Sequence, residues 1–323
     1  MNGKKRWVKI AALLLIAGLA LCAAALWAAG FDFNTFSIAE YVTNTYVVDK
    51  PFQSLTVLGD TESIALAPSE DGLCRVVCRE EKKAPHAVRI DGDMLTVENT
   101  GKRPWLFINF GFFADHPSVT VYLPRRDYQA LAVKAATGDL QIPADFSFDS
   151  IQAALTTGDV FCAATANQAI TVQTSTGKIE LNGVKARSVS LKASTGAIRV
   201  CDAVCEKDMQ LHVSTGKTAM ENVNCESLTS TGSTGSLTLE GVIASQSFDL
   251  QRSTGSIRLD RCDAGEIRIS TGTGSVSGTL LSEKRFFAHS GTGRVSVPDT
   301  SSGGRCEIST GTGSIQMEIA AAK

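Results

Sequence analysis

Ser175-Thr176-Gly177-Lys178-Ile179-Glu180-Leu181 and, one period on, Ser194-Thr195-Gly196-Ala197-Ile198-Arg199-Val200 are two copies of one unit. The same Thr-Gly pair stands at Thr137-Gly138, Thr157-Gly158, Thr215-Gly216, Thr234-Gly235, Thr254-Gly255, Thr273-Gly274, Thr292-Gly293 and Thr312-Gly313. Every step between glycines is 19 or 20 residues. A fixed period of that length marks a stack of coils, each burying its apolar side chains only against its neighbours. A motif repeated in every coil is explained by geometry before chemistry, so the pairs read as structural corners. The threonine is expected to point inward at a strand end, and the glycine to turn the chain with positive φ or to admit the next coil closely.

Aligned on the pair glycine, the coils show their core. Two residues after it stand Leu140, Val160, Ile179, Ile198, Thr218, Leu237, Ile257, Val276, Val295 and Ile315; five before it stand Val133, Ala153, Val172, Leu191, Leu211, Ser230, Leu250, Ile269, Ala288 and Ile308. These columns alternate with polar ones, the period-two pattern of strands with one buried face. The fold class is all-β, a parallel β-solenoid of about ten coils and, at about 4.8 Å per coil, a rod roughly 48 Å long.

The chain has 323 residues, with 31 basic and 33 acidic side chains. Lys4, Lys5, Arg6 and Lys9 form a basic N-terminus at residues 1–9, and residues 10–29 follow without a charge. Such a run is long enough to cross a bilayer core as a helix, and the basic flank places the N-terminus in the cytoplasm. The alternative is a cleaved signal peptide with Ala23-Ala24-Ala25 at the cleavage site. Without the four leader cations, 27 basic face 33 acidic residues. That acidic balance, with no Lys/Arg run interleaved with aromatics, argues against a nucleic-acid partner.

A linker at 30–40 and a strand-rich cap at 41–126 precede the repeats at 127–323. In the cap, Asp91-Gly92 separates Ala87-Val-Arg-Ile from Met94-Leu-Thr-Val as a hairpin turn would. Trp105, Phe107, Phe110, Phe112 and Phe113 cluster within Pro104–Phe113, in a chain only 7% aromatic. The cluster is either a membrane or partner contact or part of a buried cap. The last coil ends without a capping element, leaving an expected free strand edge at Ile315–Lys323.

The remaining motifs point away from catalysis. Gly-Thr-Gly triplets at Gly272, Gly291 and Gly311 resemble phosphate loops, but no helical pattern follows them. The histidines are scattered, the acids dispersed, and the short coils leave no room for a cleft, so neither catalytic nor cofactor-binding residues are assigned and no small-molecule substrate is evident. The nine cysteines show no zinc-like spacing, so no metal site is assigned. Cys205 and Cys225 occupy equivalent places in adjacent coils, where a disulfide and a pair of free thiols are both compatible with the expected distance.

Beyond its repeats, the order of segments is familiar. Pro51-Phe-Gln-Ser-Leu-Thr-Val, Val119-Thr-Val-Tyr-Leu-Pro124, Leu131-Ala-Val-Lys and the ladder of Thr-Gly-x-Ile-x-Leu coils resemble the bacterial adhesin-candidate β-strand-repeat family, which includes toast-rack-like domains and has no assigned function. Relatives of this kind occur in Gram-positive envelope-stress systems. The resemblance implies a surface β-solenoid with a binding or stress-sensing role and brings no catalytic residues. The expected protein is a membrane-anchored extracytoplasmic module without enzymatic activity, binding cell-wall glycan or, as an alternative, a membrane protein partner. A polysaccharide-cleaving β-helix is the third reading.

Overall fold

The structure, a computed structural model, describes residues 2–28, 40–100 and 117–320. Its body is a parallel β-solenoid of about ten turns. Each turn gives a long strand before the Thr-Gly corner and a short strand after it, as in Thr165–Thr176 and Ile179–Asn182. On the long face Thr137, Thr157, Thr176, Thr195, Thr215, Thr234, Thr254 and Thr273 stand in one unbroken register. On the short face the ladder runs Leu140, Val160, Ile179, Ile198, Thr218, Leu237, Ile257 and Val276. The apolar columns of the two faces meet in one core, with Phe146, Phe148, Ile151 and Phe248 among its fully buried side chains.

Why glycine turns the corner is plain from the stacking. Nine of the ten pair glycines have φ between 122° and 152°, a region L-residues rarely enter. At each, a Cβ would also collide with the carbonyl of the coil beneath; at Gly216 it would lie 1.5 Å from the Gly196 oxygen. Gly293, in the terminal coil, is the exception in φ.

The threonines differ from expectation. Those of the pairs, including Thr292 in the terminal coil, are exposed, not inward. The strand bends at the corner, so two consecutive residues face solvent and the parity of the preceding column does not carry through. The last inward residue lies three before the glycine; where it is Thr174, Thr271 or Thr310, its hydroxyl bonds a corner carbonyl, that of Gly158, Gly255 and Gly274 respectively.

A second corner lies six residues beyond the glycine, where Gly183, Asp202, Asn222, Gly241 and Arg261 all adopt φ between 50° and 67°. Left-handed backbone costs an L-residue about 1–2 kcal/mol, and asparagine or aspartate bears it better than arginine. Arg261→Gly is therefore expected to raise stability by about 1 kcal/mol after the entropy lost in the unfolded chain is offset. A urea midpoint at or below that of the parent would contradict this.

Two breaks in the apolar columns, Thr218 and Ser230, have one cause. Arg252 is buried in the core, where its guanidinium donates to the Ser230 carbonyl at 3.0 Å, the Ser230 hydroxyl at 3.0 Å and the Thr218 hydroxyl at 3.1 Å. Gly232 leaves room for its stem, since a Cβ there would lie 3.1 Å from the Arg252 Cδ. Desolvation pushes the guanidinium down to about 10, which still leaves it charged at neutral pH. Arg252→Leu would leave two buried hydroxyls without partners, a cost of about 3 kcal/mol. Combining it with Thr218→Val and Ser230→Val is expected to recover most of that loss, and a triple variant no more stable than Arg252→Leu would contradict the account.

At the N-terminal end, strand Ser54–Leu58 pairs in parallel with Asp127–Thr137, and Ser63–Pro68 with Leu140–Ile142. Ile64 faces Leu140, so Thr61-Glu62 takes the place of a Thr-Gly pair in a further coil. Beyond it lie Met94–Asn99 and Ser118–Leu123, and these are covered by antiparallel strands His86–Asp91 and Cys74–Glu81, with Tyr41–Val48 outermost. The parallel end coil is thus covered, and among the described residues Tyr41–Val48 and His86–Asp91 form the outer edges.

The C-terminal end contradicts the expected free edge at Ile315–Lys323. Strand Ile315–Ile319 is paired on both sides, with Val276–Leu280 and with Val295–Ser296. Likewise Gly304–Thr312 lies between Ile257–Thr273 and Lys284–Ser290. The tenth coil is thus inserted between the eighth and the ninth, and the ninth ends the stack. A glycine admits it: a Cβ on Gly304 would lie 1.8 Å from the Gly265 carbonyl. Lys284 spans the inserted coil to reach Asp263 at 2.6 Å.

The N-terminal residues form a helix, Asn2–Ala28. Among the described residues no helix is long and apolar enough to cross a membrane. The spanning segment expected at residues 10–29 is therefore not borne out among the described residues. Leu13–Ile16, Leu19, Leu21 and Trp27 are all exposed.

Candidate functional site

The bend at each corner turns the predicted structural threonines into surface. Thr156-Thr157, Ser175-Thr176, Ser194-Thr195, Ser233-Thr234 and Ser253-Thr254 all present both hydroxyl side chains to solvent. Because successive coils stack in register, the hydroxyls repeat along the ridge about every 4.8 Å. Beside the ridge on the long face run exposed Lys134, Gln173, Lys192 and Gln251, and beyond them Gln152, Thr171, Ser190 and Gln210. The surface is polar, regular and held by a rigid ladder. The aromatic positions Trp105, Phe107, Phe110, Phe112 and Phe113 lie outside the described residues; the chain enters that stretch after Asn99, at the end of a cap strand, and returns at Ser118.

The cap holds a second feature. His86, expected among scattered histidines, is buried with Glu62, Glu80 and Cys78. His86 Nδ1 lies 2.6 Å from Glu80 Oε2, and its backbone N–H donates to the same oxygen at 2.5 Å. Asn44 and Tyr46 donate to Glu80 Oε1 at 2.6 and 3.0 Å. Burial raises the Glu80 pKa, but these four hydrogen bonds together outweigh it and hold the carboxyl below its ordinary range. Glu62 accepts from the Asp60 and Thr61 backbone N–H groups at 2.6 and 2.9 Å and from Asn99 at 2.5 Å. His86 Nε2 is 3.7 Å from Glu62 Oε1 and has no hydrogen-bond partner among the described residues. Cys78 Sγ, a Glu80 carboxylate oxygen and a His86 ring nitrogen lie within 4.8 Å of one another.

Spacing rules miss this cluster because its members come from two cap strands and a corner. One signal was available: Thr61-Glu62 is in phase with Thr137-Gly138, and a buried glutamate where the repeat demands glycine marks a special end. The cluster is enclosed, and the shallow groove on the short face lined by Arg258, Asp260, Thr279, Gln316 and Glu318 contains neither histidine nor cysteine.

All eight described cysteines are free and buried. Cys205 and Cys225 stack in adjacent coils, where Val204 pairs with Asn224, as thiols. The Cys205 Sγ is turned toward the carbonyls of Arg187 and Asp208 at 3.4 and 3.3 Å. Burial pushes the thiols of Cys74, Cys162, Cys225 and Cys306 up to about 12. At pH 8 only about one in ten thousand would be thiolate, so disulfide-exchange reagents are expected to modify these four only after unfolding. Site-resolved mass spectrometry showing native labelling at any of them would contradict this.

No protein of curated function matches the chain. Among solved structures, a candidate adhesin from Parabacteroides distasonis is 12% identical over 75% of this chain and 98% of its own, with a TM-score of 0.48. One from Bacteroides fragilis is 14% identical over 86% and 97%, at 0.39. A candidate lipid-binding protein from Parabacteroides distasonis is 13% identical over 76% and 98%, at 0.33. Likenesses this loose transfer no ligand. The family profile is broader in its reach: the Toastrack DUF4097 description matches residues 52–207 and again 188–323, spanning both the cap strands and the Thr-Gly coils. By that match the chain belongs to the Toastrack DUF4097 family.

Proposed function

We propose that this chain is a non-catalytic envelope module, tethered at its N-terminus, whose solenoid face binds a repetitive polymer such as cell-wall glycan. The observation that carries the reading is the hydroxyl ridge, whose exposed pair threonine recurs at every coil, flanked by a column that includes Lys134, Gln173, Lys192 and Gln251. Each contact is weak alone, and a ligand that repeats at a compatible spacing gains affinity through effective concentration. The tether is the uncharged run of residues 10–29 behind Lys4, Lys5, Arg6 and Lys9, which places the solenoid outside the cytoplasm. Exposure of the described leucines in that helix supports a bilayer as their environment.

The test is co-sedimentation of the purified chain with isolated peptidoglycan and wall polymers. Binding that falls when Gln173, Lys192 and Gln251 are replaced by glutamate supports the reading; no sedimentation at any salt concentration defeats it. A second reading, a sensor or scaffold for a membrane protein, rests on the aromatic stretch. Polar replacements of Trp105, Phe107 and Phe110 would then abolish a crosslink to that partner while leaving sedimentation intact.

A further inference from the structure

We propose that Cys78, Glu80 and His86, with Glu62 alongside, form a zinc-class metal site that pins the N-terminal end of the solenoid. Glu62 and Glu80 are 2% and 1% exposed and His86 is 5% exposed. Two buried carboxylates are costly unless a cation or a full set of donors accompanies them. The donors are present for the carboxylates but not for the imidazole, since His86 Nε2 has no hydrogen-bond partner among the described residues. A metal held by Glu80 would take His86 through Nδ1, displacing the proton shared with Glu80 Oε2 at 2.6 Å, and Nε2–H would then turn to Glu62 Oε1, 3.7 Å away, the outer carboxylate that orients a metal-bound histidine.

The donor types select the ion. A thiol and an imidazole beside carboxylates suit zinc and its neighbours in the first transition row, whereas calcium and magnesium take oxygen ligands alone. In a tetrahedral zinc site, bonds of about 2.0–2.3 Å place ligand atoms roughly 3.3–3.8 Å apart. The three donor atoms here lie within 4.8 Å of one another, so closure asks the Cys78 thiol to move in by up to about 1 Å while the His86–Glu80 pair opens from 2.6 Å. Asn44 and Tyr46, which hold Glu80, are the outer partners that would fix it.

The consequence is structural. Cys78 and Glu80 belong to Cys74–Glu81, His86 begins His86–Asp91, and Glu62 occupies the corner under Gly138, where a Cβ on the glycine would meet the Glu62 carbonyl at 2.3 Å. An ion bound here would join the covering strands to the first coil.

The full chain, untagged and in detergent, should be stripped with chelator and titrated with Zn²⁺ and Co²⁺. One equivalent per chain is expected, with a thiolate-to-cobalt charge-transfer band and a rise in thermal midpoint. Cys78→Ser should lose the band, His86→Gln the midpoint rise, and Asn44→Ala should bind ten- to a hundredfold more weakly. Cys205→Ser, which removes a buried thiol elsewhere, should bind as the parent does. A folded parent that takes up no stoichiometric metal overturns the proposal, as does a cobalt adduct without the thiolate band. Should Cys78→Ser not fold, the band in the parent and its retention in Cys205→Ser decide the matter.

Discussion

Gly216→Ala is expected to destabilise the solenoid by about 3 kcal/mol or more, the sum of left-handed strain and a steric clash in a packed stack. The added methyl would sit 1.5 Å from the Gly196 carbonyl at φ 146°. The two corners are held in register by the Gly196 and Gly216 N–H groups, which donate to the Thr215 and Thr234 carbonyls at 2.9 and 2.8 Å. Gly72→Ala provides the comparison. Its φ of 75° is also left-handed, yet a Cβ there meets nothing within 4 Å, so only strain is added, about 1 kcal/mol. A large gap between the two urea midpoints isolates the close approach of coils; equal midpoints would mean the corners relax more freely than the ladder indicates.

Removing residues 304–323 should do more than shorten the rod by one unit. In a stack laid down in chain order, losing the last coil leaves its predecessor as the new end. Here the backbone partners of Lys284–Ser290 and Val295–Ser296 all lie in the removed coil. The truncated chain is therefore expected to lose hydrogen-exchange protection throughout 284–296 while the earlier coils keep theirs, since each contacts only its neighbours. Preserved protection at Phe286 and Ala288 would show the ninth coil docking directly on the eighth and would refute the inserted order.

The period of the Thr-Gly pairs made the solenoid and its register legible, because each coil must offer the same columns to its neighbours. That same sameness hides coil order: the Ile315 and Val295 columns fit either neighbour, and Gly304, crowded by the Gly265 carbonyl, marks where a coil is inserted. Parity misplaced the pair threonines because the strand bends before the corner, which no alternation rule records. The exceptions at Thr218 and Ser230 were visible in the alignment, but their cause was not, since Arg252 lies up to 34 residues from the groups it satisfies. The His86 cluster was illegible for a related reason. Antiparallel cap strands bring together residues whose spacing follows no motif, and Glu62 signals the site only once Thr61-Glu62 is placed in phase with the corners.

The functional account stands on repetition, and repetition has a measurable signature. The rod offers its hydroxyl ridge at every coil over about ten turns, so a repeating ligand should gain affinity with each unit until it spans the face. Isothermal titration of the chain with wall-glycan oligosaccharides of graded length measures this directly. The account predicts a dissociation constant that falls steeply with length and levels off near the roughly 48 Å of the rod. A short oligosaccharide binding as tightly as the longest would contradict it, placing recognition in one local site instead of along the solenoid.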